Sequence, residues 1–95
     1  MVSNTFATPQ DAIKAGMGFI GLGAMGKHMA GHIAKYNTTT PLKVWNRTTA
    51  RAEEHAAAYG SVCVTDFSAF NDCGVVFLSL PTTAQVADIC SKLTL

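Results

Sequence analysis

The sequence has 95 residues, of which 48% are hydrophobic and 14% are charged, and its formal net charge is +1. This length fits a single domain and leaves no room for a second. So little charge offers no basic surface for nucleic acid, and no stretch reaches the roughly 18 consecutive apolar residues that a membrane span needs.

The cysteines and the N-terminal segment bear on the cellular compartment. Cys63, Cys73 and Cys90 are an odd number at wide spacing without a metal-binding pattern, so we predict reduced thiols in the core. Residues 1–16 contain no arginine and no apolar run of the length of a secretory signal, and we expect them to form an N-terminal leader. A cytoplasmic location is the default expectation, and a mitochondrial one stays open.

Strands and helices are predicted to alternate along the chain. Strands are expected at residues 17–21, 42–45, 61–64 and 74–80. Helices are expected after residue 26, from residue 48 or 49 to a glycine stop at residue 60, and beyond residue 83, with a short helical turn from residue 66 or 68. This order predicts an α/β fold with a doubly wound parallel sheet. The apolar run 74–80 is typical of a central strand.

Apolar residues recur at helical spacing in the first and last predicted helices, so both are expected to face a core. The positions are Met25, Met29, Ile33 and Tyr36 in the first helix and Val86, Ile89, Cys90 and Leu93 in the last.

A glycine-rich motif connects the first strand to the first helix. Residues 21–26 read Gly-Leu-Gly-Ala-Met-Gly, the GxGxxG pattern of dinucleotide-binding loops. Gly21 permits a tight turn, Gly23 lets the backbone approach a pyrophosphate, and Gly26 lets helix and strand pack closely. The pyrophosphate is expected at the helix N-terminus, where free N–H groups and the helix dipole favour negative charge. The alternative is a glycine-rich turn that holds no ligand.

The residues that follow the second strand favour NADP over NAD. NAD enzymes usually carry Asp or Glu there, to accept hydrogen bonds from the ribose. This chain has Asn46, Arg47 and Thr48 instead. Arginine offers a forked, permanently charged donor to the 2′-phosphate of NADP, and the other two add uncharged donors. The alternative for Arg47 is a solvated surface charge.

The fourth strand is expected to end at the same cleft. Ligands of open α/β sheets bind beyond the carboxyl ends of the strands, so Leu80 and Pro81 are predicted to line it, although Pro81 could simply end the strand. His28, His32 and His55 have no acid or nucleophile at a telling spacing, and we predict no catalytic role for them.

These motifs resemble those of the β-hydroxyacid dehydrogenase family, which includes 3-hydroxyisobutyrate, 6-phosphogluconate and tartronate semialdehyde enzymes. The resemblance covers residues 17 to about 93 and rests on residues 21–26, on Met29-Ala30 and on Val-Trp-Asn-Arg-Thr at 44–48. Imine reductases share the glycine loop and the Asn-Arg-Thr. One departure is His32, where the family commonly has Asn.

The resemblance implies a Rossmann-type domain at residues 17–95, truncated to about four strands, with the helical substrate and dimerisation domain outside this sequence. No catalytic residue and no metal ligand is assigned. The implied contacts are Leu22, Ala24 and Met25 for the pyrophosphate and nicotinamide side, Asn46, Arg47 and Thr48 for the 2′-phosphate, and Leu80, Pro81 and Val86 for the adenosine.

The expected function is the NADP-binding part of an oxidoreductase that transfers hydride between NADP(H) and a small hydroxy or oxo acid. The resemblance implies that the full-length enzyme binds this substrate and forms a homo-oligomer, and neither nucleic acid nor a membrane is expected as a partner. The alternatives are an NADPH-dependent imine reductase and a non-catalytic nucleotide-binding module. The segment alone is predicted to be inactive, because the family's substrate-binding Gly-Gly segment and catalytic lysine are absent from it.

Overall fold

The computed structural model describes residues 16–36 and 40–93, which form one parallel sheet with helices on both faces. This confirms the predicted α/β fold with four strands. The leader predicted at residues 1–16 lies, except for Gly16, outside the described residues. The strands are β1 (Met17–Ile20), β2 (Lys43–Trp45), β3 (Val62–Cys63) and β4 (Val75–Leu78). The helices are α1 (Gly26–Tyr36), α2 (Thr49–Tyr59), a 3₁₀ helix (Phe67–Phe70) and α3 (Thr83–Lys92).

The strand order is β3-β2-β1-β4, and every pairing is parallel. Phe19 of β1 stands opposite Val44 on one side and Phe77 on the other. The order reverses between β1 and β4, and a crevice opens beyond the carboxyl ends of strands at such a reversal.

The predicted central position of the 74–80 run is wrong for the part of the chain that the structure describes. There, β4 pairs with β1 alone and forms an edge of the sheet. Phe77 in this strand is 37% exposed. An apolar run is typical of a strand whose two faces are covered, but it does not show how many neighbouring strands pair with it.

Side chains of β1 alternate between two separate cores. Met17 and Phe19 point to the face that α1 and α2 cover, where Ala30 and Ala52 are buried with them. Ile20 points to the opposite face and packs with Phe70, Cys73 and Ile89 from the 3₁₀ helix, the segment that follows it and α3. The period of two along a strand therefore divides one short strand between both layers of the fold.

The helix α1 buries small residues, and of its predicted apolar stripe only Ile33 is shown to pack against the core, since the side chain of Tyr36 lies outside the described part of the chain. Ala30 and Gly31 are buried, whereas Met25 is 77% exposed and Met29 is 48% exposed. A Cβ atom at Gly31 would lie 2.7 Å from Cζ of Tyr59 in α2, so the Tyr59 ring packs closely on α1 at this glycine. The prediction that both methionines face the core is therefore wrong.

The predicted core face of α3 is confirmed in part. Ile89 is buried and Val86 and Leu93 are half-buried, but Cys90 is exposed. Cys90 follows Ile89 by one position, which turns its side chain about 100° away on the helix. All three cysteines are free thiols, with Cys73 buried and Cys63 half-buried, so the prediction of a core position is wrong for Cys90. Burial raises the pKa of the Cys73 thiol.

The predicted helix boundaries are confirmed by their capping residues. Gly60 ends α2 with φ of 72°, and its N–H donates to the carbonyl of Ala56. Asp66 opens the 3₁₀ helix by accepting a hydrogen bond from the backbone N–H of Ser68 at 2.9 Å. No helix in residues 16–36 and 40–93 is long and apolar enough to cross a membrane.

Candidate functional site

A cavity of about 1030 Å³ lies beyond the carboxyl ends of β1, β2 and β4. Its floor is the glycine loop of residues 21–26, and one wall comes from the end of β2 and the start of α2. The opposite wall comes from the end of β4, from α3 and from the 3₁₀ helix. The other lining residues are Trp45, Asn46, Arg47, Arg51, Phe67, Ser79, Leu80, Pro81, Gln85, Asp88, Ile89 and Lys92.

Close packing requires a glycine at two positions of the loop. Gly21 has φ of 101°, and a Cβ atom there would overlap the carbonyl oxygen of Ser79. A Cβ atom at Gly26 would overlap the carbonyl oxygen of Gly21 and lie 3.1 Å from Oγ of Ser79. These positions let the loop turn tightly between β1 and α1 and rest on the end of β4.

The third glycine faces open space. A Cβ atom at Gly23 would meet no atom within 4 Å, and the residue is exposed in the cavity. No described residue accepts a hydrogen bond from the backbone N–H of Gly23, Ala24 or Met25. These three N–H groups lie just before α1, whose dipole favours an anion at this end. The loop therefore offers unused N–H groups and free space to a phosphate.

Asn46 joins the two sides of the cavity. Its Oδ1 accepts a hydrogen bond from the backbone N–H of Leu22 at 2.8 Å. Its Nδ2 donates to the backbone carbonyl of Thr48 at 3.1 Å. Both polar ends of the side chain are thus used inside the protein.

Two arginines stand at the mouth of the cavity. Arg47 follows β2 and Arg51 lies in the first turn of α2, and both are exposed lining residues. Among the described residues neither guanidinium takes part in an ion pair. The sequence prediction named Arg47 and missed Arg51. The signal that could have found Arg51 is its position three residues after the predicted cap Thr48, in the first turn of a helix that begins next to Arg47.

The opposite wall combines apolar and charged groups. Its Phe67 ring packs against Trp45 at the end of β2, with the two ring centroids 4.7 Å apart. Asp88 and Lys92 form an ion pair at 3.2 Å, and the Lys92 ammonium lies 6.0 Å from the Phe67 ring centroid. Aromatic and aliphatic surface next to charge suits a flat heterocycle that carries polar edges.

The predicted cofactor residues fall into three groups in the structure. Leu22 borders the cavity, but its side chain is only 1% exposed and its N–H is donated to Asn46. Thr48 is the exposed N-cap residue of α2, and Val86 is a half-buried residue of α3; neither is among the described residues that line the cavity. The predicted residues that line the cavity with Leu22 are Gly21, Gly23, Ala24, Met25, Gly26, Asn46, Arg47, Leu80 and Pro81.

A smaller cavity of about 260 Å³ lies between α1 and α2 and contains the one buried histidine of the described residues. His55 is 4% exposed, and its Nδ1 lies 2.7 Å from Oγ of Ser61. Its Nε2 is buried without a hydrogen-bond partner within the described chain. Burial lowers the pKa of His55, and the nearby Lys27 backbone offsets part of that change. The titratable groups around this cavity are Lys27, His28, Arg51, Glu54 and Tyr59.

The sequence matches one family of known proteins over nearly its whole length. The family is described as the NAD binding domain of 6-phosphogluconate dehydrogenase, and the match covers residues 16–94. No curated protein matches the chain.

Two similar solved structures are reductive aminases from Aspergillus terreus. One is a complex with NADPH4, cyclohexanone and allyl amine, with a TM-score of 0.68, 27% identity and coverage of 81% of this chain. The other is a complex with NADPH and ethyl-5-oxohexanoate, with a TM-score of 0.67, 27% identity and coverage of 80% of this chain. This chain covers 26% of either aminase chain, about a quarter of its length.

Proposed function

Because this chain belongs to the family of NAD-binding domains of 6-phosphogluconate dehydrogenase, we propose that it is the NADP-binding part of an oxidoreductase. The proposed reaction transfers hydride between NADP(H) and a small hydroxy or oxo acid, as in 3-hydroxyisobutyrate dehydrogenases. The cofactor carries the hydride, and the residues of this chain bind and orient it.

The observation that carries the proposal is the pair of arginines at the end of β2. Arg47 and Arg51 line the cavity without an ion-pair partner among the described residues. The position where a carboxylate would accept hydrogen bonds from the ribose of NAD is occupied by Asn46. Two unpaired guanidinium groups favour an added phosphate, with which each can form charge-assisted hydrogen bonds.

The rest of the cofactor follows from the two ends of the cavity. The pyrophosphate takes the free N–H groups of Gly23, Ala24 and Met25 at the start of α1. The adenine takes the space bordered by Leu80 and Pro81. Thr48 and Val86 remain predicted contacts, and Thr48 would reach the 2′-phosphate from the N-terminus of α2.

Cofactor titration tests this proposal. NADP⁺ and NAD⁺ are titrated against the unmodified protein and against the Arg47→Asp variant, with tryptophan fluorescence or calorimetry as the readout. A charge-assisted contact of about 1.5 to 3 kcal/mol predicts a preference for NADP⁺ of roughly 10- to 150-fold, which Arg47→Asp removes. Equal affinities for both cofactors in the unmodified protein would contradict the proposal.

A second candidate function, imine reduction, is favoured by the structural comparisons. Both reductive aminase structures contain an NADPH-type cofactor and share 27% identity with this chain. The glycine loop and the Asn-Arg-Thr segment serve either reaction, since both deliver hydride from the same cofactor. A non-catalytic nucleotide-binding module is the third candidate.

Activity of the full-length gene product separates these candidates. NADPH oxidation is followed with succinic semialdehyde, with glyoxylate and with a cyclic imine. Turnover of the oxo acids supports the first candidate, and turnover of the imine alone supports the second. NADP⁺ binding without turnover of any of the three supports the non-catalytic module. The predicted cytoplasmic location can be checked by fractionating cells that produce the full-length protein.

A further inference from the structure

The hydrogen bonds of Asn46 connect two loops that the proposed cofactor must contact together. The Oδ1 atom of Asn46 accepts a hydrogen bond from the backbone N–H of Leu22, the second residue of the glycine loop. The donor end holds the carbonyl of Thr48, which also accepts the helical hydrogen bond from the N–H of Arg51 at 3.0 Å. One half-buried side chain thus joins the pyrophosphate loop to the helix start that carries the arginines.

We propose that Asn46 is a positioning residue that holds the pyrophosphate loop against the start of α2, rather than a contact of the 2′-phosphate. This inference rests on the proposed function. A carboxamide is the group that can accept at one end and donate at the other, so the two bonds fix which end faces which loop. Serine and alanine at this position would lose at least one of these bonds.

The choice of a carboxamide over a carboxylate has a physical reason in an NADP site. An aspartate could still accept the hydrogen bond from Leu22, but it could not donate to the carbonyl of Thr48. Its charge would also repel a phosphate held by Arg47 and Arg51. Asn46 therefore makes both internal bonds without opposing the anion.

A positioning role predicts a signature in cofactor affinities. Because the loop contacts the pyrophosphate in both nucleotides, Asn46→Ala should weaken NAD⁺ and NADP⁺ binding by the same factor, about 3- to 10-fold. Arg47→Ala should weaken NADP⁺ alone. The ratio of the two dissociation constants is thus unchanged in Asn46→Ala and reduced in Arg47→Ala.

The aspartate variant supplies a second, independent measurement. Asn46→Asp keeps the acceptor for Leu22, so NAD⁺ affinity should recover to within about 2-fold of the unmodified protein, while NADP⁺ affinity falls further than in Asn46→Ala. The backbone amide of Leu22 should exchange with solvent faster in Asn46→Ala and stay protected in Asn46→Asp. Thermal unfolding of each variant shows whether it folds. If Asn46→Ala does not fold, the Asn46→Asp variant is used to test the proposal.

The experiment is a titration of NAD⁺ and NADP⁺ against the unmodified protein and the three variants. An unchanged ratio in Asn46→Ala, with faster exchange of the Leu22 amide in Asn46→Ala and its protection in Asn46→Asp, supports the proposal. A loss confined to NADP⁺ in Asn46→Ala, as in Arg47→Ala, would overturn it, and so would unchanged affinity for both nucleotides. Failure of the proposed function is distinct, because the unmodified protein would then bind neither nucleotide or show no preference between them.

Discussion

Gly21 lies directly against the carbonyl group of Ser79, so that a Cβ atom at Gly21 would overlap its oxygen. The N–H of Gly21 donates to the carbonyl of Trp45 at 2.9 Å, and the N–H of Ser79 donates to that of Ile20 at 2.9 Å. The loop after β1 is therefore held by both neighbouring strands. The glycines of the motif differ in consequence, because Gly21 serves this packing and Gly23 faces the cavity.

Substitution of Gly23 by valine should abolish cofactor binding and preserve the fold. The new side chain meets no protein atom near its Cβ, but it occupies the space through which a pyrophosphate approaches the loop. Circular dichroism and thermal unfolding should match the unmodified protein, and NADP⁺ affinity should fall at least about 100-fold, some 2.7 kcal/mol. Retained affinity in the folded variant would show that the glycine loop is not the site.

Substitution of Gly21 by alanine should instead damage the fold. Its positive φ and the overlap with Ser79 both oppose a side chain, so the free energy of unfolding should fall by about 2 kcal/mol or more. Gly60→Ala is the matched control, since Gly60 also has positive φ but faces open space, and about 1 kcal/mol is expected there. Chemical denaturation measures both. Equal losses in the two variants would rule out the steric contribution at Gly21.

Removal of the second arginine should reduce the preference for NADP⁺. Arg51→Ala should weaken NADP⁺ binding about 5- to 20-fold, less than a buried charged contact would give, because the guanidinium is exposed. NAD⁺ binding should stay within about 2-fold of the unmodified value. Lys35→Ala is the charge-matched control, as Lys35 is an exposed cation of α1 that does not line the cavity. An equal effect in both variants would indicate a general charge effect rather than a contact.

Burial of His55 should make the stability of the fold depend on pH. Its pKa in the folded protein is lowered from the ordinary 6.5, so the unfolded chain binds the proton more readily. Above about pH 6.5 this group does not reduce the free energy of unfolding. As the pH falls from there through the lowered pKa, the free energy of unfolding decreases by at most about 1.4 kcal/mol per pH unit. Urea unfolding at several pH values measures the loss.

The variant that isolates this effect is His55→Gln, which should reduce the slope of stability between pH 7 and the lowered pKa. His28→Gln is the control, because His28 is an exposed residue of α1. If the slope persists in His55→Gln, the pH dependence belongs to another group.

Local patterns in the sequence were sufficient to predict the alternation of strands and helices and the fold class. The glycine that ends α2 and the aspartate that opens the 3₁₀ helix act through bonds within a few residues of themselves. Their effect does not depend on the remainder of the fold, which is why Gly60 and Asp66 lie where they were expected.

What only the tertiary structure decided was which surfaces are covered and which loops meet. Met25 and Met29 have helical spacing but are exposed, whereas Ala30 of the same helix is buried in the core and the Tyr59 ring of α2 packs at Gly31. Within the described residues, β4 in the apolar run 74–80 has a neighbouring strand on one side only, and hydrophobic periodicity does not predict the number of neighbouring strands. Asn46 could be predicted to lie at the cofactor cleft, but its bond to Leu22 depends on the parallel pairing of β1 and β2, which brings positions 24 residues apart into contact.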